Sequence, residues 1–258
     1  MSSDTLRGGL IGCGFFAQNH LHAWRDVAGA ELVAVCDLDA AKAGAAARTF
    51  GVPNHYADAV EMFSGEELDF VDIVTTMPSH RSLVELAASK GVPAICQKPF
   101  APTMKDAEAM VEACRSTGVA LMVHENFRWQ RPLMALHDAI AGGGIGQPFF
   151  GRISFRSSHD VYANQPYLAK EERFIILDLA IHLLDVARYL FGEARRLTCH
   201  AATIKEGIRG EDSATMLLGH ESGATSIVDC SYAAVRDPDP FPETLIEVDG
   251  DEGSVRLD

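Results

Sequence analysis

The sequence predicts an α/β protein in two domains: a doubly wound parallel sheet, followed by an α+β domain with a mainly antiparallel, open sheet. Over residues 1–125, short apolar runs alternate with helical segments, which is typical of a parallel sheet covered on both faces. Over residues 126–258, one long apolar helix is followed by consecutive strand-like runs. The length of 258 residues also exceeds the usual single domain of ~100–150 residues. We therefore predict a boundary between residues 125 and 126.

A glycine turn joins the first predicted strand, Leu6–Ile11, to the first predicted helix, Gln18–Val27. Gly12 allows a sharp turn, Gly14 lets a pyrophosphate approach the backbone, and Ala17 lets the helix pack closely on the sheet. The helix N-terminus offers N–H groups to phosphates. Small residues in a tight turn are also ordinary packing, so the motif needs support from its context. Its predicted cofactor contacts are Gly12, Gly14, Phe15, Phe16 and Ala17.

That context is an acidic residue at the end of the second strand. The apolar run Leu32–Cys36 ends in Asp37, 20 residues beyond Ala17, where a dinucleotide site places its ribose-binding acid. Asp37 would repel a 2′-phosphate, and Leu38 follows it rather than a phosphate-pairing Arg. The first domain is therefore predicted to be a Rossmann domain that binds NAD in preference to NADP.

The rest of the first domain continues the alternation. A helix that opens with Thr103, followed by Asp106 three residues later, matches the capping-box pattern. We predict further strands over 54–56, 70–75, 94–96 and 119–123, and helices over 40–50, 57–63, 82–89 and 103–116. Ligands bind beyond the carboxyl ends of such strands. Those ends carry Thr75, His80, Gln97, Lys98, His124, Glu125 and Asn126.

The second domain has a different pattern. We predict a main helix over 174–190, closed by Gly192, and a shorter helix over 132–141. Strands are predicted over 149–155, 197–204, 214–219, 224–233, 244–248 and 254–257. The loop over 157–173 is long for its surroundings, which indicates a substrate-side loop or flexibility.

The composition excludes several partners. The formal net charge of −14 argues against nucleic acid and anionic membranes, which need clustered Lys and Arg. The N-terminus has no apolar leader and no run of 18 apolar residues occurs, so we expect a soluble, unanchored protein. The six cysteines have no C-x-x-C or zinc-ligand spacing. This favours a reduced, cytoplasmic setting.

Lys98 is the first candidate for chemistry. It follows a predicted strand and precedes Pro99, whose ring restricts the backbone. A lysine at a turn is usually a surface residue. At the ligand edge of a dinucleotide sheet, however, an ammonium group would stabilise the alkoxide that develops as hydride departs.

Asp178 and His182 are the second candidates. Their i, i+4 spacing places them on one helix face, and Asp185 continues roughly the same face. The alternative is an intrahelical hydrogen bond on an apolar helix. Polar groups among apolar neighbours are costly unless they have a hydrogen-bond partner or a functional role. Histidine also suits proton transfer near neutral pH. His124-Glu125 lacks the spacing of a zinc site, so no metal is predicted.

Several motifs together resemble the Gfo/Idh/MocA oxidoreductases, the family of glucose-fructose oxidoreductase and inositol dehydrogenase. They are the dinucleotide turn, Cys96-Gln97-Lys98-Pro99, Asn126-Phe127-Arg128 and Asp178-Leu179-Ala180-Ile181-His182. The resemblance extends over nearly the whole chain. Within the family, Ile95–Pro99 and His124–Gln130 are similar to the branch of the D-apiose dehydrogenases.

This resemblance implies roles for individual residues. His182 would accept the proton, Lys98 would polarise the reacting oxygen, and Asp178 would orient the substrate. The ammonium and the imidazole would come from separate domains and flank the carbon that faces the nicotinamide. His80 and Asn126 match family positions near the nicotinamide and the substrate. From their place after the strands, Thr75, Gln97 and Lys98 are also predicted to line the cofactor, and Arg128 is predicted to contribute to substrate binding.

The chain departs from the family pattern in three ways. Gln97 replaces the usual Glu, which removes a charge beside Lys98, and Ala180 replaces the usual Gly. Family members also generally continue past a segment like Gly250–Leu257, so the sequence is consistent with a truncated form that lacks a final strand and a returning helix.

The sequence thus predicts an NAD-dependent dehydrogenase that oxidises a hydroxyl of a small sugar or polyol, such as D-apiose to its lactone. The family resemblance implies a homodimer or homotetramer. The alternative is a non-catalytic NAD-binding sensor or partner protein, although a sensor has no need of Lys98, Asp178 and His182.

Overall fold

The computed structural model describes residues 5–239 and 241–258. The chain divides into two compact units, Met1–His124 and Glu125–Asp258. The division falls one residue before the predicted boundary. Each unit has its own sheet and its own hydrophobic core.

The first unit is built on parallel strands connected by helices. The strands are β1 (Leu6–Ile11), β2 (Ala30–Cys36), β3 (Asn54–Tyr56), β4 (Phe70–Ile73), β5 (Ala94–Gln97) and β6 (Leu121–His124), and the helices are α1 (Ala17–Asp26), α2 (Ala40–Phe50), α3 (Ala59–Gly65), α4 (His80–Ser89) and α5 (Met104–Thr117). The sheet has the order β3-β2-β1-β4-β5-β6, and every pairing is parallel. This order confirms the predicted Rossmann arrangement, in which the strand order reverses between β1 and β4.

The centre of this sheet is buried on both faces. Leu10 of β1 and Val71 and Ile73 of β4 have no exposed surface, because helices cover both sides of a parallel sheet. The carboxyl ends of the strands are therefore left as the polar edge of the unit.

Side-chain caps determine where α2, α3 and α5 begin. The Asp58 carboxylate accepts hydrogen bonds from the first backbone N–H groups of α3, so this helix begins at Ala59 rather than at the predicted residue 57. The Thr103 cap of α5 is confirmed, with the Asp106 carboxylate bonded to the Thr103 hydroxyl rather than to its backbone N–H. The Asp106 amide donates to Thr103 Oγ1 at 3.1 Å, and this hydroxyl donates to Asp106 Oδ2 at 2.6 Å.

The second unit combines two helices with a mixed sheet. Its elements are α6 (Arg131–Ala141), β7 (Pro148–Arg156), α7 (Ile181–Phe191), β8 (Ala194–Ala202), β9 (Ser213–His220), β10 (Thr225–Ser231), β11 (Leu245–Gly250) and β12 (Ser254–Leu257). The sheet order is β12-β11-β7-β10-β9-β8. Only the β7–β10 pairing of these strands is parallel, which confirms the mainly antiparallel prediction.

One face of this sheet forms a core with α7. Leu183 and Val186 of α7 are fully buried, in one cluster with Met216 and Leu218 of β9. The alternation along β9 is the signature of a sheet with one covered face. In contrast, β8 is exposed at almost every position.

The main helix differs from its prediction at the N-terminal end. A π-helical turn, Ile176–Ala180, precedes α7. Glu211 holds this start, because its Oε1 accepts from the amides of Phe174 and Ile176 at 3.1 and 3.2 Å. Single π turns are frequent at functional sites, and this one contains Asp178. Across the described ranges, no helix combines the length and apolar character needed to cross a bilayer.

Candidate active site

The two glycines of the turn after β1 have different physical reasons to be glycine. Gly12 has φ +97°, and a Cβ there would lie 2.5 Å from the Val74 carbonyl oxygen. A Cβ on exposed Gly14 would meet nothing within 4 Å. The fold therefore requires Gly12, whereas Gly14 keeps backbone open toward solvent, as the approach of a diphosphate needs.

Asp37 is held beside this turn by backbone amides. Its Oδ2 accepts from the Cys13 N–H at 2.8 Å, and its Oδ1 accepts from the Asp39 N–H at 2.9 Å. The carboxylate is thus fixed and partly exposed at the end of β2. Burial, and then the charge of Asp37, raise the pKa of the Cys13 thiol to about 12, so this cysteine is an inert packing residue.

The start of α1 completes a surface that fits NAD. Phe15 and Phe16 are exposed, and Ala17 is fully buried. In the described part of the chain, no side chain caps α1 and its first turn carries no acidic residue. The N-terminal end of this helix therefore keeps its favourable potential for a phosphate.

Thr75 and His80 lie together after β4. His80 has no exposed surface, and its Nδ1 and Nε2 lie 3.1 Å from the carbonyl oxygens of Phe100 and Thr75. The ring therefore braces two loops at the carboxyl edge. Its predicted place beside the cofactor stays a prediction, and the geometry favours an action through Thr75.

Lys98 follows β5 at this edge and is half-buried. The uncharged Gln97 side chain beside it lies in the interior, with 5% exposure. Its amide contacts His20 Nε2 and the Lys98 backbone N–H.

In the second unit, His182 forms a dyad with a carboxylate that the sequence did not connect to it. Its Nδ1 lies 2.8 Å from both oxygens of Glu125. A carboxylate only accepts hydrogen bonds, so Nδ1 carries the proton and Nε2 is the nitrogen that can accept one. The ring also stacks on Phe127, with centroids 4.2 Å apart and planes at 9°. The imidazole is thus fixed in both tautomer and orientation.

Asp178 lies in the π turn, one helical turn before His182. Its charge acts on tyrosines from other segments. Burial, and then Asp178, raise the pKa of Tyr167 and Tyr232. Tyr167 belongs to the loop over 157–173, so this loop reaches the neighbourhood of Asp178.

The last two predicted contacts follow β6. Asn126 is exposed. The Arg128 guanidinium makes a two-point ion pair with Asp185 of α7 and lies over the Tyr189 ring. The Asp185 hydrogen bonds raise the Arg128 pKa further. Arg128 thus fastens the segment after β6 to α7, and its predicted contact with substrate stays a prediction. No group of three or more potential metal ligands occurs among the described residues.

An open glycine turn beside a fixed carboxylate, together with a lysine and an oriented histidine suited to proton transfer, defines the chain as an NAD-dependent oxidoreductase. Residues 6–125 match the model of the oxidoreductase family with an NAD-binding Rossmann fold, GFO_IDH_MocA, and residues 133–256 match the GFO/IDH/MocA C-terminal domain. The chain belongs to the Gfo/Idh/MocA oxidoreductase family.

Individual relatives agree with this assignment. The chain is 61% identical to a D-apiose dehydrogenase of Paraburkholderia graminis, over 98% of this chain and 67% of that protein. It is 53% identical to a D-apiose dehydrogenase of Rhizobium rhizogenes, over 100% and 74%. An oxidoreductase from Agrobacterium radiobacter, crystallised with NAD+, L-tartaric acid and magnesium, superimposes with a TM-score of 0.97 at 54% identity, over 98% and 74%. These findings favour the predicted dehydrogenase over the non-catalytic sensor.

Proposed function

We propose that this protein is an NAD-dependent dehydrogenase that oxidises the anomeric hydroxyl of an aldopentose, D-apiose or a close analogue, to a lactone. The observation that carries the proposal is the Glu125–His182 dyad, which presents an imidazole with its proton on Nδ1. The names of the two D-apiose dehydrogenases support the substrate class.

Each candidate residue has a proposed role in this oxidation. His182 Nε2 takes the hydroxyl proton as the C–H bond gives up its electron pair as hydride, and Glu125 stabilises the imidazolium that forms. Lys98 stabilises the charge on the reacting oxygen. Asp178 orients the sugar hydroxyls, and Asn126 and Arg128 shape the binding surface.

NAD, when bound, supplies the hydride acceptor at C4 of its nicotinamide. Gly12, Gly14, Ala17 and the start of α1 would hold its diphosphate, and Asp37 would hold the adenosine ribose. Phe15, Phe16 and Thr75 complete the proposed surface, and the buried side chains of His80 and Gln97 support it from the interior. We expect a higher kcat/KM with NAD than with NADP, because Asp37 repels a 2′-phosphate.

The first experiment is a panel of aldopentoses, hexoses, inositols and linear polyols, assayed by NADH absorbance. Turnover of the aldopentoses supports the proposal, and exclusive turnover of inositols would assign another substrate. If the protein binds NAD but oxidises no member of the panel, the non-catalytic NAD-binding sensor becomes the better assignment.

The catalytic roles are tested by Lys98→Ala and His182→Ala. Each variant should lower kcat by ~10² or more, since it removes an electrostatic or a proton-transfer group, while the Kd for NAD stays nearly unchanged. Loss of kcat and NAD binding together would indicate misfolding.

The proposed assembly is a homodimer or homotetramer in the cytoplasm. Exposed apolar residues on the open sheet of the second unit support self-association, among them Phe149 of β7, Leu197 of β8 and Leu217 of β9. All six cysteines are free thiols, which supports a reducing compartment.

A further inference from the structure

A buried chain of polar side chains crosses the first unit and ends at the amide nitrogen of Lys98. Asp72 Oδ2 accepts from Trp24 Nε1 at 2.7 Å and lies 2.8 Å from His20 Nδ1. His20 Nε2 lies 3.1 Å from Gln97 Nε2, and Gln97 Oε1 accepts from the Lys98 N–H at 2.5 Å. Asp72, His20 and Gln97, which we name the His20 chain, are 1%, 6% and 5% exposed.

The hydrogen-bond direction along the His20 chain follows from its last link. A backbone N–H can only donate, so the oxygen of the Gln97 amide must face Lys98. The Gln97 nitrogen then faces His20 and donates to its Nε2. His20 therefore carries its proton on Nδ1, and this N–H donates a hydrogen bond to Asp72. The imidazole is thus fixed in one tautomer.

Burying this chain is costly, and packing alone does not require it. Asp72 Oδ1 is buried and has no hydrogen-bond partner among the residues that the structure describes. A buried oxygen without a partner lowers stability, and apolar side chains of similar volume would fill the same space. The retained polar groups therefore point to a function.

The His20 ring is also fixed from its sides. The Phe16 ring contacts it edge-on, at 5.5 Å between centroids. The His124 ring lies at 4.4 Å, and His124 is the residue opposite Gln97 in the β5–β6 ladder. Helix α1 and the ends of β5 and β6 thus meet on this one imidazole.

We propose that the His20 chain is a positioning device for Lys98. The Gln97 side chain, held at one end by His20, holds the backbone of Lys98 with its other end and so fixes where the ammonium-bearing side chain leaves the sheet. The catalytic part of this inference rests on the proposed role of Lys98. A shift of about 1 Å in a reacting group can cost ~10²-fold in rate.

Two substitutions of His20 break opposite ends of the chain. In His20→Asn the new amide can still donate to Asp72 but is too short to reach Gln97. In His20→Gln the longer amide can accept from the Gln97 nitrogen, but the donor to Asp72 is lost. Both should lower the melting temperature. His20→Asn should lower kcat by ~10- to 100-fold, and His20→Gln should lower kcat by clearly less. Both variants should keep the Kd for NAD within ~2-fold, because the loss of one hydrogen bond affects only its immediate surroundings.

Two readouts do not depend on turnover. Hydrogen exchange of the Lys98 amide should accelerate in His20→Asn and stay near wild type in His20→Gln. Nitrogen NMR of the imidazole should show His20 protonated on Nδ1 in the wild type. A proton on Nε2, equal Lys98 exchange in both variants, or kcat losses that only follow the melting temperatures would overturn the proposal. If the wild type oxidises no sugar, the proposed function fails, and these two readouts still decide whether the chain holds Lys98.

Discussion

At the scale of single residues, the partner of a catalytic group decides what that group can do. His182 could be a satisfied core histidine, because it is only 5% exposed. The Glu125 carboxylate at Nδ1 and the Phe127 ring against its face instead hold the imidazole in the form that accepts a proton at Nε2.

Replacing Glu125 tests this dyad. In Glu125→Gln the amide cannot stabilise an imidazolium, so kcat should fall by ~10- to 10²-fold, on the scale of general acid–base terms, with little change in the Kd for NAD. Glu193→Gln is the matched control, because Glu193 is an exposed carboxylate paired with Arg188. Comparable kcat values for the two variants would remove the dyad from the mechanism.

Residue type and spacing were enough to select Lys98, Asp178 and His182 as candidates. They were not enough to join His182 to Glu125, which precedes it by 57 positions. Gln97 shows the same limit. The sequence shows that a charge is missing beside Lys98, but the direction of the amide depends on where α1 places His20.

At the scale of elements, the turn after β1 contains one glycine that the fold requires, Gly12, and one that we expect ligand binding to require, Gly14. Gly12→Ala should destabilise the protein by ~1–3 kcal/mol or more, because an alanine there is strained at positive φ and its Cβ would lie against the Val74 carbonyl. Gly14→Ala should leave the melting temperature nearly unchanged.

The two variants are expected to have the opposite order when NAD affinity is compared, with Gly14→Ala losing more affinity than Gly12→Ala. Gly14→Ala should weaken NAD binding by ~10-fold, equivalent to about 1.4 kcal/mol, because the added methyl lies on the open side of the turn. Calorimetry on both variants checks this. An unchanged Kd for Gly14→Ala would mean that the diphosphate binds elsewhere.

The loop over 157–173 has its own tether. Asp239 accepts from the hydroxyls of Ser157 and Ser158 and from the Ser158 amide. These bonds hold its pKa well below the usual value. The charged form is therefore the bonded one, so the tether is complete at neutral pH and is lost only as pH falls through the lowered pKa.

Asp239→Asn should loosen this loop at neutral pH. Faster hydrogen exchange at Ser158 and His159 is expected, and KM for the sugar should change more than KM for NAD. Asp258→Asn, at an exposed carboxylate paired with Arg256, is the control. Exchange rates equal to wild type would show that Asp239 does not hold the loop.

Most elements were predictable because their signals are local. The Thr103 cap of α5 and the apolar runs of β1 and β4 need only neighbouring residues. The π turn over Ile176–Ala180 was not predictable, because Glu211, which holds its start, lies on the far side of β8 in the sequence.

At the scale of the whole molecule, the exposed edge strand β8 of the second sheet leads to a prediction about assembly. Cys199 lies on exposed β8, and the other five cysteines are buried. If β8 lies in the proposed interface, Cys199 should react slowly with a thiol reagent. Leu197→Asp, on the same strand, should yield monomers in sedimentation and make one thiol react fast. A wild-type monomer with a reactive Cys199 would refute the assembly.

The order of strands in the second sheet also bears on how the chain acquires its structure during synthesis. The central strand β7 pairs with β10 and β11, which follow α7, β8 and β9 in the chain. Strand β1, by contrast, pairs with β2 and β4 of its own unit. Pairings between distant parts of a chain form late. During translation the dinucleotide-binding unit can therefore fold before the second unit is complete, whereas β7 stays unpaired until β10 and β11 have been synthesised.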